Sequence, residues 1–261
     1  MVIFRILRKL LWAVGFDFNH LVTNVRSLGW FFRDYFKLKR QLKSTDDIQM
    51  GKPFPFFKDK TDTSGRLSGH YFHQDLLVAN KIFEANPKKH VDIGSRTDGF
   101  VTHVASFREI EVFDIRETNK EIKNIKFVKA DFMEHDPALD GYTDSISSLH
   151  VIEHFGLGRY GDSIDKEGHI KGLKNIYKML RKGGKFYFSA PIGPQRINFN
   201  AHRVFSLSYL KSLLLEKYKL DSFSYVDDKG DLHENKDIDS TQAESNFGCS
   251  FGCGIFELTK K

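Results

Sequence analysis

The apolar and polar positions become regular from residue 88 onward, where short apolar segments alternate with longer segments of helical spacing. The apolar segments have the length of buried strands, and they lie at residues 90–93, 111–115, 125–130, 145–151 and 185–190. Helical spacing predicts a helix from the first strand to about residue 107 and further helices over 164–180 and 207–216. Strands that alternate with helices predict a parallel, doubly wound α/β sheet.

Two more apolar segments, 220–226 and 254–258, bring the predicted sheet to seven strands. A polar insert, 227–246, separates them and has no helical pattern, so we expect the two segments to pair as an antiparallel hairpin with a long connection. A helix predicted over 76–86 ends at Pro87, directly before the first strand. The expected fold is therefore α/β, with a mostly parallel seven-stranded sheet whose last strand is antiparallel.

Residues 1–43 have a separate pattern, with nine basic residues against two acidic ones and many aromatic residues between them. Spacings such as Leu7/Leu11 and Leu21/Val25 predict amphipathic N-terminal helices. Two interpretations are open. The segment lies on an anionic membrane face, or its helices cap the main domain or contact the second subunit of a homodimer.

A turn-rich segment, 44–66, follows and predicts a linker or a lid. We therefore divide the chain into an N-terminal extension with its linker, residues 1–66, and one main domain, residues 67–261. A length of 261 residues is enough for one substantial α/β domain and an appendage, but it is short for two full domains.

The composition limits the classes of partner that the protein can bind and the cellular compartment in which we expect it. A net charge of +6 and a pI of about 9.1 favour anionic partners, such as phosphorylated metabolites, nucleic acid or an anionic membrane. The basic residues are scattered and no RNA-binding module stands out, which argues against nucleic acid. Two cysteines, Cys249 and Cys253, are too few for a disulfide scaffold, and no apolar segment reaches the roughly 20 residues of a membrane span. We expect a cytoplasmic protein, free or at the inner face of the membrane.

Polar residues stand where several predicted strands end, which is the edge at which doubly wound sheets bind ligands. Gly94 follows the first strand and lets the backbone approach a ligand, because it has no Cβ. Asp92, in the same segment, could receive an ammonium group. Asp114 ends the second strand, 22 residues after Asp92, where a carboxylate can accept hydrogen bonds from ribose hydroxyls. Asp131 follows the third strand and could accept an adenine amino group.

The loop at Gly94 is a weak signal by itself, because Arg96 and Asp98 stand where a dinucleotide fingerprint has glycines. The alternative is a strand–turn–helix junction that binds no ligand. The ordered set of carboxylates, followed by a Gly183-Gly184 turn before the fifth strand, favours a ligand site.

Residues 90–215, about half of the chain, resemble class I S-adenosylmethionine (SAM)-dependent methyltransferases. The resemblance implies a Rossmann-like fold and a SAM site formed by Asp92, Gly94, Ser95, Arg96, Asp114, Ile115, Asp131, Phe132 and Leu149. In that site the loop at Gly94 would hold the methionine part, Asp114 the ribose, and Asp131 with Phe132 the adenine. The segments 92–100 and 154–162 more narrowly resemble an uncharacterised methyltransferase-like family of bacteria and nematodes. Some of its members are similar to proteins of surface-polysaccharide pathways.

The fourth predicted strand ends in three residues that suit methyl transfer to oxygen, His150, Glu153 and His154. In one interpretation a histidine is a general base that Glu153 orients. In another, the three bind a divalent cation, as a resemblance to O-methyltransferases with a Glu-x-x-Glu-His metal motif implies; imidazole with carboxylate suits zinc, manganese or iron. A third has His150 buried beside the sheet and only Glu153 and His154 near the substrate. His202 is a second candidate base or metal ligand.

Two segments are candidates for acceptor binding. The glycines of residues 156–161 predict either a backbone shaped against a ligand or a flexible loop, in which Arg159 could hold a phosphate or carboxylate. The loop after the fifth strand has the basic and amide groups that suit a sugar phosphate. The candidate substrate-binding residues of both segments are Arg159, Tyr160, Arg196, Asn198 and Arg203. We expect O-methylation of a small sugar- or phosphate-containing acceptor, with RNA methylation and a non-catalytic SAM-binding module as alternatives.

Overall fold

The structure is a computed structural model that describes residues 11, 15, 18–42, 47–57, 59, 60, 62, 64, 65, 67–118 and 120–261. The chain divides into two compact units, Met1–Arg66 and Leu67–Lys261. Most of the N-terminal helix predicted around Leu7 lies outside the described residues. No helix in the part of the chain that the structure describes combines the length and apolarity that a bilayer span demands.

In the described part of the first unit, a long helix, α1, extends over Phe18–Gln41. On one side of α1, the rings of Trp30 and Phe31 contact Phe57 edge to face, at centroid distances of 6.2 and 5.6 Å. Another side carries apolar side chains that stay exposed, at Leu21, Val25, Leu28, Phe32 and Phe36. Their spacing places all five on one narrow stripe of the helix.

The second unit is a layered α/β domain. Its helices are α2 (His70–Ala85), α3 (Thr102–Ala105), α4 (Gly168–Met179), α5 (Leu207–Leu214) and α6 (Thr241–Glu244). Its strands are β1 (His90–Ile93), β2 (Ile110–Asp114), β3 (Ile125–Lys129), β4 (Thr143–Leu149), β5 (Leu180–Ile192), β6 (Arg196–Asn198), β7 (His202–Val204), β8 (Tyr218–Val226), β9 (Leu232–His233) and β10 (Gly252–Lys260). Short irregular turns at Thr97–Val101, Pro137–Leu139, Ile152–His154 and Asn246–Gly248 complete it.

The main sheet has the strand order β3-β2-β1-β4-β5-β10-β8-β9. Strands β1 to β5 pair in parallel, whereas β10 lies antiparallel between β5 and β8. The predicted α/β class with a mostly parallel sheet is confirmed, and the two last predicted strands are antiparallel neighbours. The sheet has eight strands instead of seven, because the two-residue strand β9 is too short to leave a periodic pattern in the polar insert.

Three local predictions were wrong. The helix before β1 begins at His70 and not at residue 76, because its buried face includes the polar residues Gln74 and Asp75, which interrupt the apolar pattern. The helix after β1 is interrupted at Gly99, whose φ of −127° and ψ of −105° are not helical, and it ends at Ala105. A side chain at position 99 would stand 2.6 Å from the carboxylate of Asp75. The insert also contains α6, a single helical turn.

A polar cluster inside the sheet fixes β1 against β4. His90 is buried, and its two ring nitrogens bond to the hydroxyls of Ser145 and Ser147 at 2.8 and 3.1 Å. Burial lowers the pKa of His90 to about 3, so the ring is neutral at ordinary pH. Ser147 in turn donates to Asp92 at 2.6 Å. This chain of hydrogen bonds runs along the sheet to the carboxyl end of β1.

Candidate active site

A pocket of about 550 Å³ opens at the carboxyl ends of β1 to β4. In the strand order, the chain passes from β1 to β2 on one side and later to β4 on the other, and such a reversal point is where α/β sheets bind ligands. The lining residues that the sequence had singled out are Gly94, Asp114, Ile115, Asp131, Phe132, His150, His154 and Tyr160. The pocket therefore brings together residues from four strand ends and from the loop beyond β4.

Asp92 lies beneath the pocket and does not line it. Its side chain is fully buried, and its carboxylate accepts hydrogen bonds from the Ser95 main-chain N–H at 2.8 Å and from the hydroxyls of Ser95 and Ser147 at 2.6 Å. Burial raises the pKa of Asp92 to about 6, although these donors oppose the shift. The carboxylate thus holds the turn after β1, in which Gly94 has a φ of +67° and faces Val151.

Ser95, Arg96 and Leu149, which the sequence grouped with the cofactor residues, lie outside the pocket lining. The Ser95 hydroxyl accepts from the Leu149 main-chain N–H at 3.0 Å and so ties the turn to the end of β4. Arg96 pairs with Asp98 at 2.9 Å, and its guanidinium lies 5.0 Å from the centre of the Tyr71 ring. These contacts lie within the turn after β1 or connect it to β4, so they stabilise the conformation of that turn.

Asp114 lines the pocket at the end of β2, but it has a partner that the sequence analysis missed. Both oxygens of its carboxylate accept from the Arg116 side chain, at 2.9 and 2.7 Å, and one also accepts from the Arg116 main-chain N–H at 2.8 Å. The guanidinium lies 4.5 Å from the centre of the Tyr160 ring. An arginine two residues after an aspartate at a strand end is the signal that could have revealed this pair.

The wall after β3 is formed by Asp131 and Phe132. Asp131 accepts from the Met133 main-chain N–H at 2.8 Å, which leaves its second oxygen available. The Phe132 ring is buried and contacts Phe113 edge to face at 5.7 Å, so it joins the pocket to the core. An apolar surface therefore lies beside a carboxylate on this side of the pocket.

His150 and Glu153 form a buried pair. His150 has a φ of 56°, and its Nδ1 lies 2.7 Å from Oε1 of Glu153. Burial raises the pKa of the Glu153 carboxyl, but the adjacent His150 outweighs burial and lowers that pKa below its ordinary value. The same oxygen lies 3.8 Å from Nε2 of His154. The sequence suggested His150, Glu153 and His154 as metal ligands. In the structure a hydrogen bond joins His150 to Glu153, and the three side chains do not form one of the groups that could hold a metal ion among the described residues.

His154 lines the pocket with a defined tautomer. Its Nδ1 lies 2.7 Å from the main-chain carbonyl of Ala201, which can only accept, so Nδ1 carries the hydrogen and Nε2 carries the lone pair. Burial is the largest cause that lowers the pKa of His154, and Arg159 adds to it. A neutral imidazole with a fixed orientation and a free nitrogen has the properties of a general base.

The glycine-rich loop after His154 is shaped by its own carboxylate. Asp162 accepts from the main-chain N–H groups of Gly156, Gly158 and Tyr160 at 2.8, 3.1 and 3.1 Å. Gly156 has a φ of +77°, and a Cβ there would stand 2.0 Å from the Asp165 carbonyl oxygen. Neither sequence interpretation anticipated this arrangement, in which an internal anion takes the donors that were expected to face a ligand or water.

The basic residues predicted to bind substrate donate instead to main-chain carbonyls. Arg203 is buried, and its guanidinium contacts the carbonyls of residues 153, 155, 165 and 166. Arg196 donates to those of Pro194 and Ser250, and Arg159 to that of Ala201. For Arg203 this corrects the prediction of a substrate contact. A packing role for a loop arginine could not be foreseen, because its acceptors are backbone atoms.

His202 and Asn198 remain at the rim. They pair with each other across the β6–β7 hairpin at 3.1 Å, and the His202 ring lies 4.9 Å from Phe251. Neither lines the pocket, although burial and the nearby His154 contribute to a pKa of His202 below its ordinary value, against an opposing effect of Glu153. His202 is therefore less directly placed for proton transfer in this pocket than His154.

Comparisons with known proteins place the chain in a family. No curated protein sequence matches it significantly. It is similar in structure to 1,6-didemethyltoxoflavin-N1-methyltransferase from Burkholderia thailandensis, with bound S-adenosylhomocysteine (SAH) and 1,6-didemethyltoxoflavin, at 16% identity and a TM-score of 0.49 over 72% of this chain and 78% of that chain. It is similar to the N-methyltransferase NodS from Bradyrhizobium japonicum WM9 in complex with SAH, at 14% identity and a TM-score of 0.49 over 87% and 97%.

A family model matches more than half of the sequence, over residues 96–248, and the predicted relationship to a nematode family is confirmed by that match. The chain belongs to the family described as Caenorhabditis protein of unknown function, DUF268.

Proposed function

We propose that the chain is a SAM-dependent methyltransferase that O-methylates a small, hydroxyl-bearing acceptor. The observation that carries the proposal is the pocket at the reversal point of the sheet, which has the Asp114 carboxylate on one wall and the His154 imidazole on another. A carboxylate at the end of the second strand suits a ribose diol, and an imidazole with a free nitrogen suits a hydroxyl that must lose its proton.

The pocket residues fit the methyl donor. Gly94 lines the pocket and adopts a left-handed φ, so its backbone borders the pocket without a side chain. The Phe132 ring with the Asp131 carboxylate suits a flat base that carries an amino group. When bound, SAM supplies a methyl group on a cationic sulfur, which an acceptor oxygen can take in line.

His154 is the residue that we assign to the proton. Its Nε2 would accept the hydrogen of the acceptor hydroxyl, while the Ala201 carbonyl holds the opposite side of the ring. Glu153, 3.8 Å from this nitrogen, would stabilise the imidazolium that results. The pair of Glu153 with His150 keeps that carboxylate ionised, so the negative charge is available before the proton moves.

The same contacts favour a sugar over a phosphate as the acceptor. The arginines that were expected to hold an anion bond to the main chain, and Arg203 is buried. Tyr160, which lines the pocket, offers a neutral hydroxyl, and Asn198 and His202 in the β6–β7 hairpin offer neutral amide and ring groups, which suit sugar hydroxyls. An acceptor of surface-polysaccharide synthesis remains part of this proposal.

Calorimetric titration with SAH tests the proposal. The wild-type chain is expected to bind SAH, and Asp114→Asn to weaken binding about 30-fold, which corresponds to about 2 kcal/mol for hydrogen bonds to a charged group. Arg116→Met is the matched control, because it removes the ion pair but leaves the carboxylate, and its affinity should stay within about threefold of wild type.

Failure of the wild-type chain to bind either SAM or SAH at millimolar concentration would exclude the methyltransferase assignment. Equal losses in Asp114→Asn and Arg116→Met would instead show that the ion pair only shapes the loop.

We also propose that α1 lies on an anionic membrane surface. Its exposed stripe of Leu21, Val25, Leu28, Phe32 and Phe36 is apolar. The helical spacing places Arg26, Arg33, Lys37 and Arg40 along one flank of that stripe. An apolar face beside basic side chains is typical of helices that lie in the plane of a bilayer.

Co-sedimentation with vesicles measures this contact. The full chain is expected to bind vesicles that contain phosphatidylserine, to bind pure phosphatidylcholine vesicles weakly, and to be released by high salt. Phe32→Glu should lower binding at least about tenfold, because it places a charge in the apolar stripe. Thr23→Glu adds the same charge on another face and is the control. Equal binding by both variants would reject the stripe as the contact surface.

A further inference from the structure

We propose that His70, His150 and Cys253 form a zinc-binding site beside the pocket. The candidate ligand atoms, one nitrogen from each ring and the Cys253 sulfur, all lie within 4.8 Å of one another. The three residues come from distant parts of the sequence, at the start of α2, directly after β4 and in β10. Their convergence at one edge of the sheet is a property of the fold.

The strongest single observation is an unpartnered nitrogen. His150 is 8% exposed, its Nδ1 bonds to Glu153, and its Nε2 has no hydrogen-bond partner although it is buried. A buried polar atom without a partner destabilises the fold, because it has lost its hydrogen bonds to water. A metal ion that accepts the Nε2 lone pair would remove that cost.

The ligand chemistry selects the metal. A thiolate with two imidazoles suits zinc, which binds cysteine sulfur at about 2.3 Å and histidine nitrogen at about 2.0–2.1 Å. Three protein ligands leave one position open in a tetrahedral zinc site, which is the arrangement of catalytic zinc. Glu153 on Nδ1 of His150 is the carboxylate partner that ligating histidines commonly have.

Polar contacts around the cluster hold its elements in place. The buried Gln74, one turn after His70, accepts at Oε1 from the Ser189 hydroxyl at 2.6 Å and from the Cys253 thiol at 3.6 Å. The start of α2 is therefore anchored to β5 and β10. The His70 and His150 rings lie parallel, with centroids 5.1 Å apart, so His70 has to tilt for both rings to point at one ion. His70 is only partly buried, which leaves space for that tilt.

The position of the site gives it a role that rests on the proposed function. His150 lines the pocket and also belongs to this cluster, so an ion bound here would share one of its ligands with the pocket wall. Zinc in an open site binds a hydroxyl oxygen and lowers its pKa. In that case zinc would bind the acceptor oxygen as a Lewis acid, and the nearby His154 would accept the proton. Zinc binding itself requires no methyl transfer and can be measured without SAM.

The test uses the full-length chain, freed of metal with EDTA and titrated with Zn²⁺ alone against a colorimetric zinc chelator. We expect one zinc per chain, and a thiolate-to-metal charge-transfer band when Co²⁺ replaces Zn²⁺. Cys253→Ser should abolish the band and weaken zinc binding at least about 100-fold, and Glu153→Gln should weaken it about 10–100-fold while the band remains.

Two matched variants control for general effects. Cys249→Ser removes the other free, buried cysteine, and His73→Ala removes a histidine one turn from His70, so both should bind zinc as the wild type does. The proposal is wrong if the wild-type chain binds no zinc stoichiometrically, or if the cobalt band survives in Cys253→Ser. Zinc binding without SAH binding would separate this site from the methyltransferase proposal.

Discussion

Replacing Arg203 by methionine is expected to lower the free energy of unfolding by about 3 kcal/mol. The guanidinium donates to the carbonyls of Phe155 and Asp165 at 2.5 and 3.3 Å, and it also contacts those of residues 153 and 166. Methionine has a similar length but no donor, so the carbonyls would lose the hydrogen bonds from the guanidinium, and the Asp165 carbonyl would keep only the one from the Gly168 main-chain N–H. Relief of the burial of a charged group offsets part of the loss.

Urea denaturation followed by circular dichroism measures the effect, with the slope of unfolding free energy against urea expected to stay unchanged. Arg196→Met is the control, because Arg196 lies on the neighbouring strand and donates to two carbonyls near the surface. It should cost less than about 1 kcal/mol. A loss of stability in Arg203→Met no larger than in Arg196→Met would show that the buried guanidinium does not stabilise the segment 153–166, whose carbonyls it contacts.

The elements of the sheet could be predicted because their signals are local. Buried strands are short apolar segments, and β1 to β5 therefore appear in the sequence to within a few residues of their observed bounds, apart from the early start of β5 at Leu180. The position of Asp114 at a strand end also follows from local pattern, since the carboxyl ends of parallel strands meet at one edge. Its pairing with Arg116 depends on side-chain orientation, which the pattern does not contain.

Other features of the site depend on contacts between distant segments. Cys253 lies near His70 only because β10 inserts between β5 and β8, and the sequence gives no measure of that distance. An arginine in a polar segment is typical of a surface loop. The partners of Arg203, however, are carbonyls whose direction is set by the folded backbone. A basic residue in a polar loop therefore predicts a ligand contact and internal support equally well.

The glycine-rich loop at residues 156–161 provides the last prediction, which separates the cost of a left-handed backbone from the cost of a steric collision. Gly156 and Gly161 both have a left-handed φ, of +77° and +89°. A Cβ at Gly156 would stand 2.0 Å from the Asp165 carbonyl oxygen, whereas a Cβ at Gly161 meets nothing within 4 Å. Alanine at either position incurs the cost of a left-handed residue, about 1 kcal/mol. Only alanine at 156 must also displace the backbone.

Gly156→Ala is therefore expected to lower the free energy of unfolding by about 3 kcal/mol, and Gly161→Ala by about 1 kcal/mol. Gly156→Ala should also weaken SAH binding, because the displaced segment carries Tyr160 and Asp162, which both line the pocket. Urea denaturation and calorimetry measure the two effects. Equal stability losses in the two variants would show that residues 156–165 move aside at no added cost, as a flexible loop does, and that the Asp162 hydrogen bonds do not fix the loop in solution.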